Sequence, residues 1–129
     1  MAGDYTRNWK IYGASIVDVT LPSNVSPLIT ARAANRMITV QRITFTPSVW
    51  SGTTLSFVDS LTGIEIGHLD IPPSNPTLAG DTNMLYIDYG PTGTKLSPGA
   101  NLLLGGGGTG RLHIEAYQKG PLSGIGVPA

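Results

Sequence analysis

The chain has no cysteine. That absence excludes a disulfide framework, a cysteine-ligated zinc site, an iron–sulfur cluster and a thiol nucleophile together, and it leaves the redox compartment open. Charge is also scarce. Eight Lys and Arg balance eight Asp and Glu, and charged residues make up only 12% of the chain, against roughly 25% in soluble domains generally. With no basic excess to neutralise phosphates or an anionic lipid surface, neither nucleic acid nor a membrane is expected as a partner. No window approaches the roughly 18 uninterrupted apolar residues of a spanning helix, and residues 1–10 lack the apolar core of a secretory signal. The expectation is a soluble protein made and used without export.

What is present favours strands. Leu, Ile, Val and Phe number 33 of 129 residues, too large an apolar share for a disordered chain. Thr, Ile and Val number 32, and β-branched side chains suit a pleated sheet better than a helix. The 17 Gly and 10 Pro then read as turns. A chain of this length makes one domain that needs no staple, because it can bury roughly two-thirds of its unfolded surface.

Alternation predicts strands at short intervals. Residues 9–21 place Ile11, Gly13, Ser15, Val17, Val19 and Leu21 on one side, and residues 28–32 read as a short second strand. In residues 37–46, Ile38 and Val40 share one parity while Ile43 and Phe45 share the other. That phase change predicts a β-bulge at Gln41-Arg42, or a strand passing between sheets. Residues 53–58 and 64–69 read as a hairpin around Asp59 to Gly63. Residues 84–89 and 101–104 follow, and residues 111–119 point Leu112, Ile114 and Ala116 inward with His113, Glu115 and Tyr117 outward. Helix is limited to a single turn near residues 33–36. The fold class expected is therefore all-β: one antiparallel β-sandwich or jelly-roll-like barrel of about eight strands, with extended arms at both ends. Residues 1–8 form the N-terminal arm, 9–119 the domain and 120–129 the C-terminal arm.

Motifs for chemistry are weak. Gly105 to Gly110 satisfies the spacing of a dinucleotide fingerprint, but a strand follows where a helix N-terminus should receive the pyrophosphate; a hairpin loop is the better reading. Gly90 to Lys95 lacks the spacer and the terminal Lys-Ser/Thr of a phosphate loop and reads as a turn. His113 with Glu115, and His68 with Asp70, have the two-residue spacing of strand ligands, yet two histidines in the whole chain are too few for a cupin-like centre. No Ser lies in the G-x-S-x-G context of a hydrolase. Neither catalysis, metal nor cofactor is expected.

Adhesion is expected instead. A low-charge surface is poorly defended against self-association, and the outward edge of the last strand offers a self-contact. The candidate oligomer or partner face is Trp50, His113, Glu115 and Tyr117. Tyr5 and Trp9 near the N-terminal arm, and Leu122, Ile125 and Val127 in the C-terminal arm, are candidate anchors on a larger partner.

Several stretches carry a resemblance. Met37-Ile38-Thr39-Val40 leads into Ile43-Thr44-Phe45, then Leu55-Ser56-Phe57-Val58-Asp59 with its Gly63 hairpin; the run from Tyr86-Ile87-Asp88-Tyr89-Gly90 to Ser97-Pro98-Gly99-Ala100-Asn101-Leu102 follows, and Ile114-Glu115-Ala116-Tyr117 closes. Over residues 37–119 this pattern resembles small tailed-bacteriophage virion proteins of the head-decoration, or cement, type. The resemblance implies a jelly-roll-like domain, usually trimeric, bound outside the capsid at junctions between major capsid proteins. It brings no catalytic residues. The expected partners are thus the major capsid protein and further copies of this chain as a homotrimer, on the outer surface of the virion. The alternative is a receptor- or glycan-binding module of a phage tail or fibre tip, using loops at residues 50–54 and 71–82.

Overall fold

The computed structural model describes residues 14–23, 26–75 and 84–119. Among them are eight strands and no helix: β1 (Ala14–Leu21), β2 (Met37–Pro47), β3 (Thr54–Asp59), β4 (Glu65–Asp70), β5 (Leu85–Asp88), β6 (Thr94–Lys95), β7 (Leu102–Gly106) and β8 (Gly110–Lys119). One sheet runs β1-β8-β2-β5, with β6 also on β2, and the other runs β4-β3-β7. All the pairings are antiparallel. The protein is an all-β, sandwich-like fold.

The pairings nest. β3 pairs with β4; outside them β2 pairs with β5; outside those Ile29 bridges Leu102 of β7; and outermost β1 pairs with β8. Pairing of β8 with β2 and of β7 with β3 then joins the rolled hairpins into two sheets.

Apolar alternation builds the core between those sheets. Ile38, Val40, Ile43, Phe45, Leu112 and Ile114 from one sheet, and Leu55, Phe57 and Leu102 from the other, are fully buried in one cluster. Each large side chain contributes about 1.5–3 kcal/mol of transfer free energy. The phase change in β2 is resolved by a bulge: the register with β8 shifts between Val40 and Arg42. Gln41 is the extra residue. It lets Ile38 and Val40, and then Ile43 and Phe45, face the same core despite opposite parity.

Four expectations require correction. Residues 28–32 do not form a strand; the segment makes one isolated bridge through Ile29, because Thr30 to Arg32 turn away to meet Gln118. Thr94–Lys95, read as part of a turn, is the two-residue strand β6 on β2. The glycine run is not a hairpin loop, since β7 and β8 belong to different sheets; it is a crossing between them. A Cβ on Gly106 would strike the Thr54 carbonyl, and one on Gly110 the Thr46 carbonyl, so close backbone approach is what these glycines permit. Lastly, β8 has no free edge, as it lies between β1 and β2. What it exposes is a face. The part of the predicted first strand before Ala14 lies outside the described residues.

Polar clamps close the two long sides. On one side a second bulge, between Phe57 and Val58 opposite β4, leaves the Ile66 carbonyl to accept the Tyr89 hydroxyl at 2.7 Å. On the other, buried Gln118 accepts the Arg32 backbone N–H at 2.8 Å and donates to the Thr30 carbonyl at 3.0 Å and to Ser15 Oγ at 3.2 Å.

Candidate functional site

The outer face of the five-stranded sheet carries three of the four residues expected at a partner face. His113, Glu115 and Tyr117 alternate with the buried positions of β8 and point outward in a row. Opposite them on β1 stand Asp18, Ile16 and Ala14, respectively. Trp50 is elsewhere: it lies between β2 and β3, half-buried against the core. The structure therefore brings His113, Glu115 and Tyr117 together and leaves Trp50 out. Tyr5, Trp9, Leu122, Ile125 and Val127 lie outside the described residues.

Electrostatics divide this face along its length. At one end the Arg111 guanidinium grips Asp18 with both prongs, Nε to Oδ1 at 2.8 Å and Nη2 to Oδ2 at 2.9 Å. Hydrogen bonding and the charge of Arg111 hold the Asp18 carboxyl below its ordinary range, and Asp18 in turn raises Arg111. His113 Nε2 lies 3.7 Å from Glu115 Oε2, and across β2 Arg42 Nη2 lies 3.7 Å from Asp88 Oδ2. Charges on this face are thus largely matched within the chain. A matched face offers little long-range steering, so affinity there rests on contact.

Toward the other end the face becomes apolar. Ile16 is 57% exposed on β1. Beside it is a depression of about 290 Å³ lined by Ala14, Ile16, Gln41, Pro91, Glu115, Ala116 and Tyr117. Small-molecule sites enclose roughly 300–1,000 Å³, and the described residues that line this one include a single carboxylate, Glu115, and no Lys, Arg or His. It suits an apolar side chain of a partner better than a reacting substrate.

The depression also marks where the chain ends leave. Ala14 lies opposite Tyr117, and Met37 opposite Lys119. Residues 1–13 and 120–129 therefore join the domain from neighbouring strands at one end of one sheet.

Other polar clusters serve the fold. Asp59 is buried; its Oδ1 accepts the backbone N–H of Leu61 at 2.8 Å and of Thr62 at 3.1 Å, and its Oδ2 that of Ser97 at 2.8 Å. Burial pushes this carboxyl up, but the N–H donors of Ser97, Thr62 and Leu61 outweigh it and hold the pKa at about 2. The tip it braces exposes Leu61 and Ile64, at 65% and 64%. His68 sits between Glu65 at 2.7 Å and Asp70 at 3.7 Å on exposed β4. No group of three or more metal-ligating side chains with suitable placement occurs among the described residues.

Sequence reasoning missed Ile16, Gln118 and Asp59. Parity held the signal for the first two: Ile16 falls opposite the buried Val17 set, and Gln118 continues the inward series of Leu112, Ile114 and Ala116. For Asp59 the signal was only a turn-favouring residue, without a hint of the long-range bond to Ser97. Comparison of the chain with protein-family models, with curated proteins and with solved structures returned no match.

Proposed function

We propose that this protein is a structural virion component that binds the outside of an assembled phage head as a decoration, or cement, protein and stabilises it. In this reading the nested pairing of β1 with β8, Ile29 with β7, β2 with β5 and β3 with β4 is that of a jelly roll. The partners are the major capsid protein and further copies of the chain, as a trimer. No cofactor takes part. The observation that carries the proposal is the exit of both chain ends beside one another, at Ala14 and past Tyr117. One folded body can thereby direct Tyr5 and Trp9 on one arm, and Leu122, Ile125 and Val127 on the other, toward a single shell.

A ligand that binds the assembled shell and not its free subunits stabilises the shell by RT ln(1 + [L]/Kd) per site, about 2.7 kcal/mol at a hundredfold excess over Kd. The test is co-sedimentation with heads, with unassembled capsid subunits and with host envelope. Binding to heads alone supports the proposal. Binding to envelope or glycan and not to heads replaces it with the tail or fibre-tip receptor-binding reading.

A further inference from the structure

The two sheets have four edges among the described residues: β1 and, beyond β2, β5 with the two-residue β6 in one, β4 and β7 in the other. An open edge presents unpaired N–H and C=O groups that invite another strand, and proteins blunt edges with charge, brevity, bulges or a covering segment. Three of these edges are blunted. β4 carries Glu65, His68 and Asp70 within six residues and a bulge against β3. β7 is covered where Leu28 and Ile29 exchange backbone hydrogen bonds with Leu102, and β5 is only four residues long.

β1 is different. It is eight residues long and paired with β8 over its whole length, while its other edge has no strand partner among the described residues. Its one charge, Asp18, is neutralised by the two-pronged bond from Arg111. Arg32 Nη2 caps the Ala14 carbonyl at 2.8 Å, which leaves the stretch past Ala14, where Ile16 stands exposed.

We infer that this edge of β1 receives the C-terminal segment, residues 120–129, of a neighbouring copy as an added strand. The inference rests on the proposed homo-oligomer and divides the arm: Ile125 and Val127 pack on a neighbouring copy, while Leu122, on the opposite side of the added strand, is left with the N-terminal arm for the shell. The segment has no ionisable side chain, matching a neutral edge. Pro121 and Pro128 bracket six residues, 122–127, that all retain a backbone N–H, so a ladder can form between two built-in stops. Extended, that stretch puts Ser123, Ile125 and Val127 on one side and Leu122, Gly124 and Gly126 on the other. Main-chain bonds supply affinity and the apolar side chains supply register beside Ile16.

Geometry favours a neighbour over the same chain. β8 already occupies the inner side of β1, so its own continuation would have to pass around the end of β1 where residues 1–13 leave. Ten extended residues reach at most about 33–36 Å, against a radius of gyration of roughly 14 Å for a domain of this size. An adjoining copy is within reach. Each copy gives a tail and receives one, so the contact is satisfied either by mutual exchange in a two-fold dimer or head-to-tail in a ring whose rotation closes.

The experiment exploits the cysteine-free background. Full-length Ile16→Cys chains are mixed with full-length chains carrying one cysteine at a position from 122 to 127, oxidised without any capsid, and sized. Hetero cross-links at alternate tail positions are expected. Full-length Ile16→Lys and Ile125→Asp/Val127→Asp proteins, checked for unchanged circular dichroism, are each expected to sediment as monomers where the parent is an oligomer. Cross-linking of Ile16→Cys only to itself, with the tail variant still oligomeric, would show β1 pairing with β1 and overturn the inference. So would a parent that is monomeric, or an oligomer indifferent to both variants. Head binding is assayed separately, so its failure leaves this result readable.

Discussion

Ala14 and Tyr117 are ladder partners at the end of the outermost strand pair. Because β1 and β8 are antiparallel, the chain enters the domain and leaves it side by side, next to exposed Ile16 and the depression. The strands of the described fold run from Ala14 in β1 to Lys119 in β8. Deleting residues 1–8 is expected to leave the melting temperature unchanged while weakening attachment to heads; deleting residues 120–129 is expected to weaken attachment too, and also to lower the melting temperature and abolish its dependence on protein concentration, because the added strand binds only the folded copy. Loss of the C-terminal arm acts partly through avidity, since separated copies forfeit their effective concentration. Unchanged head binding by both truncated proteins would place the whole contact on the folded body.

Asp59 sets the acid limit of one end of the fold. Its folded pKa of about 2 lies below the ordinary Asp value of 3.8, so ionised Asp59 stabilises the fold above the unfolded pKa, and this contribution is lost as pH falls through the folded one. The window is roughly pH 4 to 2, and the contribution about 2 kcal/mol. Asp59→Asn keeps the size but turns an amide toward the Ser97 N–H. Urea denaturation at pH 7 is expected to show a loss of about 2 kcal/mol, and the variant's stability is expected to change less than the parent's between pH 4 and 2.

Gly67 and Tyr89 test the clamp on the long side between β4 and β5. A Cβ at Gly67 would strike the Tyr89 hydroxyl and lie 3.0 Å from Ile87 Cδ1. Gly67→Ala is expected to cost about 1–3 kcal/mol, and Tyr89→Phe about 1 kcal/mol through the orphaned Ile66 carbonyl. Because both act on one contact, the double variant is expected to lose less than the sum. Strict additivity in a denaturation cycle would show that the two residues are uncoupled.

Periodicity made the faces legible. The switch from Ile38 and Val40 to Ile43 and Phe45 marked an irregularity at Gln41-Arg42, which the structure resolves as a bulge, and alternation oriented the side chains from Leu112 to Tyr117 in β8. It could not say which strand neighbours which. Parity is a local property, whereas the central place of β8 and the sheet crossing at Gly106 to Gly110 arise from long-range pairing. β6 has two residues, too few for any period. At the candidate surface the row His113, Glu115 and Tyr117 was legible for the same reason that β8 was, while Trp50 was grouped with it on residue type alone; its packing against the core depends on how the β2–β3 loop folds back.

Thermal rupture of heads tests the central claim most directly. Heads stripped of this protein, heads with it added back, and heads given the arm-deleted protein are heated, and release of packaged DNA is followed by dye fluorescence. Stripped heads are expected to rupture at lower temperature, and the full-length protein to restore them. With formal net charge zero, the protection is expected to persist in salt that screens charges beyond a few Å. Equal rupture temperatures for stripped and decorated heads, with decorated particles alone adsorbing to cells, would contradict the cement role and leave receptor binding in its place.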